Sequence, residues 1–361
     1  MKIGILTFHR ALNYGGVLQC YALYCTLRSL GHDVDIIDYR PSYIEKWRNS
    51  DIVKTNIFCY LRSLLKNIIT FRGRQHVIKN FDSFLSNMSF STIIKEKNEF
   101  IKLAYDCYVC GSDQIWNKRI TNGGDSIFMG DFPVKKAKII TYAASVGKQD
   151  LNDDYLKTIY PFLLKIDCVS VREDDLNNFL IKSGIGSSLT LDPTLICNRN
   201  IFDKIVIEPK ALNYVCVYAL KDEDKAVKFA TKIAKYHNAS IIVIRAMKSI
   251  KKYNDINIHV VECLSPGEFI GYLKNSLYNV IISFHGVVFS ILYHKNFYAI
   301  KHETQGRYEN LLNKINLKQR LVSEVEEFDL SPINYEGIEE KLDELKAYSL
   351  TYLSKNISNE Y

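Results

Sequence analysis

The stretch Val280-Ile281-Ile282-Ser283-Phe284-His285-Gly286-Val287-Val288-Phe289-Ser290 decides how this chain is read. Its first part belongs to an apolar, β-branched run that begins at Tyr278 and is too short to span a membrane. The run predicts a buried strand over 278–282. It stops at Ser283, Phe284, His285 and Gly286, and a second apolar run from Val287 to Tyr293 predicts a helix. A strand that hands over to a helix fits an open parallel sheet, where ligands bind at the ends of the strands. Gly286 would let the backbone come close to a ligand, and the amides opening the helix favour an anion. His285 is the one group there that can donate, accept or transfer a proton near neutral pH. A histidine that merely caps the turn fits this stretch equally well when the stretch is taken alone.

The same alternation extends outward on both sides. Toward the N-terminus, strands are predicted at 214–219, 240–245 and 258–261, with a helix over 222–237. Ser265 with Glu268 three residues on, and Pro266 between them, is a capping box that opens another helix. Toward the C-terminus, a strand is predicted at 297–300, a helix opens at Gly306-Arg307, and a long charged helix runs over 335–357. The first part of the chain repeats the pattern. A strand at 2–7 leads through Asn13-Tyr14-Gly15-Gly16 into a helix from about Val17 to Leu30, stopped at Gly31, and then a strand at 34–38. That loop is glycine-rich but is neither G-x-G-x-x-G nor a P-loop, so turn chemistry and a ligand on the helix N-terminus both stay open. Further strands are predicted at 105–110, 138–143 and 168–171, with a helix over 174–182. Asp192-Pro193-Thr194 reads as a turn that closes this half.

The fold expected is α/β, with two Rossmann-like domains facing a cleft and a C-terminal helix able to cross back to the first domain. The expected boundaries are 1–200 for the first domain, with a helical insertion at about 40–103, then 212–330 for the second and 331–361 for the helix. A length of 361 residues suits two domains, and 47% hydrophobic content supplies real cores. The net charge of +7 points to anionic ligands or an anionic lipid surface and away from duplex DNA. No nucleic-acid partner is expected. Within the insertion, Lys54, Arg62 and Lys66 flank an apolar stripe including Tyr60, Leu61, Leu64 and Leu65. It suits either a helix packed on its own domain or peripheral contact with the inner face of a membrane. Met1 to Leu6 goes directly into a strand and no run is long enough to span a bilayer, so a cytoplasmic protein is expected. The nine cysteines, odd in number and mostly in apolar runs, agree with a reducing compartment. Cys107 and Cys110 have C-x-x-C spacing, but three apart on a strand they point to opposite faces, which argues against zinc or redox chemistry. No cluster has metal-ligand spacing.

Four strand ends carry polar or charged groups: Asn13 with Tyr14, Ser112 with Asp113, Arg172, and Ser283 with His285. Arg172 offers a planar bidentate clamp for phosphate or carboxylate, or else a salt bridge to Glu173 or Asp175. Asp113 can orient a hydroxyl or take a proton, or else cap the next turn. If two parallel sheets face each other, all four ends line one cleft. That layout suits a transferase with an anionic donor and a polar acceptor.

In this order, several segments resemble the polysaccharide pyruvyl transferase family over nearly the whole chain. They are Asn13-Tyr14-Gly15-Gly16-Val17-Leu18-Gln19, Gly111-Ser112-Asp113-Gln114-Ile115-Trp116-Asn117, Val169-Ser170-Val171-Arg172-Glu173, Leu191-Asp192-Pro193-Thr194, and Ser283-Phe284-His285-Gly286 with Phe289-Ser290. The chain departs from the usual pattern at Ile281-Ile282, where a Thr-Asp/Asn pair is common, and at His294-Lys295-Asn296-Phe297, where Gly-Lys-Pro-Phe is common. The resemblance implies a GT-B-like shape and transfer of the pyruvyl group of phosphoenolpyruvate onto sugar hydroxyls. The acceptor implied is a lipid-linked or polymeric glycan of a capsule or exopolysaccharide, and the product a pyruvate ketal. It implies phosphoenolpyruvate as the donor, with no nucleotide sugar and no further cofactor. Arg172 and His285 match the family's donor-site arginine and histidine. His285 is then expected as general acid or phosphate partner, and Asp113 as base or acceptor orienter. Arg172, Asn13, Tyr14, Gly15, Ser112, Ser283, Lys295 and Arg307 are expected to bind substrate. Two alternatives remain at this stage: a GT-B glycosyltransferase using a nucleotide sugar, and a non-catalytic glycan-binding protein.

Overall fold

The computed structural model describes residues 1–49, 57–147, 150–301, 306–323 and 329–358, with the backbone alone for 57–69 and 306–307. The first half contains β1 Lys2–Leu6, α1 Tyr14–Ser29, β2 Asp33–Ile36, α2 Ser42–Asn49, α3 Ile57–Leu85, β3 Cys107–Cys110, β4 Lys138–Thr141 and α4 Asp153–Leu163. It ends with β5 Ser170–Val171, α5 Asp174–Lys182, β6 Ser188–Leu189, α6 Pro193–Ile196 and α7 Asn200–Asp203. The second half contains β7 Tyr214–Ala219, α8 Glu223–His237, β8 Ser240–Arg245, β9 Ile258–Glu262, α9 Pro266–Asn275 and β10 Tyr278–Ile282. Then come α10 Phe284–Leu292, β11 Asn296–Ile300, α11 Gly306–Lys314, β12 Leu321–Val322 and α12 Glu336–Ile357.

Among the described residues, all the strand pairs are parallel. The first sheet runs β2-β1-β3-β4, and single bridges at Ile140–Cys168 and Ala144–Val171 carry it on to the pair β5-β6. The second sheet runs β12-β11-β10-β7-β8-β9. The central strands are continuous apolar runs because helices cover both faces, which is the usual condition of a parallel sheet. Every residue of β10 is buried. On β3, Cys107 belongs to the core shared by both halves and Cys110 to the core of the first half, as expected for opposite faces.

Helix α1 is buried almost all round and lies at the centre of that shared core. Its Tyr14 ring stacks on Phe269 of α9 at 4.4 Å and sends its hydroxyl to the Leu264 carbonyl at 3.2 Å. The two Rossmann-like halves therefore meet through buried aromatic packing. Helix α12 completes the joint. Tyr335, just before it, donates to the Lys295 carbonyl at 2.7 Å, while Tyr352 donates to the Thr141 carbonyl of the first sheet at 3.0 Å. The C-terminal helix does cross back to the first half.

Three local readings are corrected. α1 starts at Tyr14 rather than Val17, with Asn13 as its cap: Gly16 N–H donates to Asn13 Oδ1 at 3.1 Å. α10 starts at Phe284 rather than Val287, so His285 and Gly286 lie in a helical first turn. The sequence reading also passed over α2, α4 and β12. The predicted capping box at Ser265 and Glu268 is formed, with Glu268 N–H donating to Ser265 Oγ at 3.3 Å and Ser265 N–H to Glu268 Oε2 at 2.7 Å. The apolar stripe Tyr60, Leu61, Leu64 and Leu65, with Arg62 and Lys66, has side chains outside those described, and Lys54 lies outside the described residues. Among the described residues, no helix is long and apolar enough to cross a membrane.

Candidate active site

In an open parallel sheet the chain leaves two neighbouring central strands in opposite directions, and the crevice between their carboxyl ends binds ligands. In the first sheet this point lies between β1 and β3, whose carboxyl ends pair at Leu6–Cys110. Just beyond it, the Thr7 hydroxyl donates to the Ser112 carbonyl at 2.9 Å, and Asp113 follows. In the second sheet the point lies between β7 and β10, paired at Ala219–Ile282, and Ser283 and His285 follow. The two crevices face each other. α1 and α10 both open there, and neither carries an acidic residue in its first turn. Their amides leave positive partial charge at the junction.

Arg172 enters from the end of β5. Its Nη1 pairs with Asp192 Oδ2, its Nη2 lies 3.6 Å from Asp113 Oδ1, and its Cζ sits 4.5 Å from the centre of the Phe284 ring. The salt bridge thus runs to Asp192 and Asp113 rather than to Glu173 or Asp175. Asp192 caps α6: its Oδ1 accepts from Thr194 N–H at 3.1 Å and from the Thr194 hydroxyl at 2.6 Å. Its Oδ2 also lies 3.5 Å from His285 Nε2, a charge contact too long for a strong hydrogen bond. Among the described residues, two buried nitrogens of Arg172, Nε and Nη2, have no hydrogen-bond partner, and nor does His285 Nε2. Buried polar atoms left in this way are the places where a ligand atom would fit.

The electrostatics are those of a buried network. Burial opposes the charge on Arg172, but Asp192, Glu173 and Asp113 hold its guanidinium above its ordinary value. Burial opposes the charge on Asp192 as well, yet His285, Arg172 and Thr194 outweigh it and keep the carboxyl well below the usual carboxylate range. The Asp192 side chain has no exposure, whereas Asp113 keeps 14%, so of the two carboxylates only Asp113 can meet a substrate.

The residues expected from sequence divide accordingly. His285, Arg172, Asp113, Asn13 and Gly15 come together. Gly15 makes room for histidine: a Cβ on it would stand 2.0 Å from His285 Nδ1. Gly286 serves packing instead of ligand approach, since a Cβ there would meet Ile281 Cγ2 at 2.7 Å. Ser283 is the buried residue preceding α10. Ser112 is fully buried and donates to the Ala143 carbonyl at 2.9 Å, so it supports the site from behind. Tyr14 is fully buried in the joint between the halves, away from the charged cluster. Lys295 is not brought to the site. It follows the far end of α10 and precedes β11 at the amino ends of the strands, where Asn296 pairs with Tyr278. Along a nine-residue helix that is on the order of 13 Å from His285. The Arg307 backbone lies in the first turn of α11, and its side chain is outside those described. Asp192 is the residue that sequence reading missed as a member of the site. Its signal is Asp-Pro-Thr, an N-cap followed by proline at the first helical position, a pattern that by itself marks only a turn.

A family model described as polysaccharide pyruvyl transferase matches residues 13–304. The chain belongs to the polysaccharide pyruvyl transferase family. The matched region contains Arg172, Asp192 and His285 together with Asn13, Gly15 and Asp113. No curated protein matches the chain by sequence. Among solved structures, UDP-GlcNAc 2-epimerase from Methanocaldococcus jannaschii is similar at 12% identity and a TM-score of 0.45, over 95% of this chain and 92% of the other. The glycosyltransferase SnogD from Streptomyces nogalater is similar at 10% identity and a TM-score of 0.44, over 97% of this chain and 95% of the other. An alpha-glucosyltransferase solved with UDP and DNA is similar at 12% identity and a TM-score of 0.49, over 99% and 95%. Family membership and the two facing parallel sheets agree with a GT-B-like architecture.

Proposed function

We propose that this protein transfers the pyruvyl group of phosphoenolpyruvate onto two hydroxyls of a sugar in a polysaccharide precursor, forming a pyruvate ketal and releasing phosphate. The observation that carries the reading is the junction of two helix N-termini at one buried guanidinium and one imidazole. All four offer positive charge or donors, which suits a small substrate bearing a phosphate and a carboxylate.

The residues divide the work as follows. Arg172 Nε and Nη2 take the donor's anionic oxygens, and Asp192 fixes the guanidinium and the imidazole relative to each other. His285 supplies a proton to C3 of the enol, and C2 becomes the electrophile. A sugar hydroxyl attacks C2, its proton passing to Asp113. The C2–O bond to phosphate then breaks, and the second hydroxyl closes the ketal. The methyl group retains the proton from His285. The two hydroxyl protons replace that one and complete the hydrogen phosphate released.

The acceptor of this proposal is a lipid-linked or polymeric glycan, and any contact with a membrane surface would be peripheral. A nucleotide-sugar transferase is disfavoured by the other helix opening near the second crevice. The first turn of α8 carries Glu223 and Asp224, and Glu223 makes a two-point pair with Arg245 at 2.7 and 2.8 Å. The protein's own carboxylates thus occupy the opening of α8, paired with Arg245 and Lys251, and leave it little to offer a diphosphate. Thermal denaturation separates the readings. Phosphoenolpyruvate at a hundredfold excess over its Kd should stabilise the protein by about 2.7 kcal/mol, with UDP giving no shift. A shift with UDP and none with phosphoenolpyruvate would favour nucleotide-sugar chemistry instead.

A further inference from the structure

Asp113 borders a second recess that the chemistry above leaves unused. It has a volume of about 370 Å³, and its walls include Asn13, Trp47, Arg48, Arg74, Gln114 and Met247. Asn13 and Asp113 come from the two strand ends of the first sheet, Trp47 and Arg48 from α2, and Met247 from the loop after β8. The recess therefore closes from both halves and reaches the charged cluster through Asp113.

Its chemistry differs from that of the Arg172 cluster. Trp47 is 49% exposed, a large apolar surface left open at the mouth. Its ring packs edge-on to Tyr43 at 5.6 Å, and its carbonyl accepts from Arg74 at 3.2 Å, so it is held in place from both sides. Asn13 Oδ1 is occupied by its capping bond to Gly16, which leaves its amide hydrogens for a ligand. Two of the wall arginines are paired with carboxylates, Arg10 with Glu45 at 2.5 Å and Arg48 with Asp82, while Arg74 donates to the Trp47 carbonyl. A flat aromatic face, an amide donor, one accessible carboxylate and wall arginines already engaged within the protein suit a neutral sugar ring better than a second phosphate.

We infer that this recess is the acceptor subsite. On the reading given under Proposed function, a pyranose lies against Trp47 with two hydroxyls directed at Asn13 and Asp113. The attacking hydroxyl loses its proton to the Asp113 carboxylate as its oxygen bonds to C2 of the donor.

The chain has two tryptophans, and Trp116 is fully buried, so iodide-quenchable emission comes from Trp47. The test is iodide quenching of the full-length protein, titrated with methyl galactoside, glucoside and N-acetylmannosaminide and with inorganic phosphate. One glycoside should shield Trp47, and phosphate should not. Trp47→Ala should raise KM for the accepted glycoside roughly tenfold, with KM for phosphoenolpyruvate and kcat little changed, and Trp47→Phe should recover much of the loss. Turnover of a glycoside with no shielding, or an unchanged acceptor KM in Trp47→Ala, would overturn the subsite while leaving pyruvyl transfer intact. Shielding without any phosphate release from phosphoenolpyruvate would support the subsite and count against the donor reading. Shielding by phosphate alone, or by nothing in the panel, would overturn the subsite.

Discussion

A side-chain carbon on Gly15 would stand 2.0 Å from Nδ1 of His285, closer than any two such atoms can approach. The first turn of α1, in one half, thus fixes where the imidazole of α10, in the other half, can lie. Gly16, its neighbour, is less constrained: a Cβ there would meet the Phe8 carbonyl at 3.3 Å and Asp113 Oδ2 at 3.6 Å.

This contrast gives the first prediction. Gly15→Ala should displace His285 and lower turnover on the order of 10²–10⁴-fold, the range of a lost acid or base. Gly16→Ala should stay much closer to wild type and gain part of the ~0.5–1 kcal/mol that alanine contributes over glycine in a helix. Steady-state kinetics and melting curves on both variants check it. Equal losses in the two would mean that the histidine contact does not set activity.

Arg172 holds Asp192 and Asp113 through different nitrogens while its Cζ lies 4.5 Å from the centre of the Phe284 ring. A lysine has one point charge and cannot reproduce the fork. Arg172→Lys should weaken phosphoenolpyruvate binding by about 10–100-fold, the equivalent of one or two charged hydrogen bonds. Calorimetric titration measures it, and unchanged affinity would remove Arg172 from the donor site.

Asp192 connects stability to pH. Its folded carboxyl is held below the ordinary value, so the stabilisation it supplies is fully present above the unfolded value near 3.9. It is lost as pH falls below that value toward the depressed one. Asp192→Asn strands a buried guanidinium and should cost about 3–5 kcal/mol at neutral pH. The difference between wild-type and variant melting temperatures should shrink as pH is lowered below about 4. A difference that stays constant down through this window would show that the carboxylate is not ionised there.

Tyr14 tests the placement of a residue expected at the site and found in the joint between the halves. Tyr14→Phe removes its bond to the Leu264 carbonyl and should cost about 0.5–1.5 kcal/mol of stability with kcat and KM unchanged. Lost turnover at unchanged stability would return its hydroxyl to the chemistry.

The strand ends were legible because strands such as Tyr278–Ile282 are unbroken apolar runs bounded by polar residues. The starts of α1 and α10 were misplaced because glycine at positions 15, 16 and 286 reads as loop. The cap residue Asn13 is the better guide to where α1 begins. Helix α4 was passed over although Asn152 caps it, with Asp153 and Asp154 in its first turn; Pro161 near its end weakens the helical pattern. The role of Asp192 could not be read from local pattern. It depends on Arg172, twenty residues away, and on His285 in the other half. The salt-bridge partners of Arg172 were misjudged for the same reason: neighbours in sequence were considered, and the fold supplies others. Lys295 is expected at the site only through the family resemblance, where it stands in the segment His294-Lys295-Asn296-Phe297 after the helix that carries His285. The helix leads it to the opposite end of the sheet.

Release of phosphate from phosphoenolpyruvate in the presence of glycans, with mass spectrometry of the products, tests the central proposal most directly. One sugar should gain the mass of pyruvic acid less one water, in step with phosphate release, and His285→Ala should abolish most of both. Phosphate release absent for every glycan that binds the protein, together with no binding of phosphoenolpyruvate itself, would contradict pyruvyl transfer at this site.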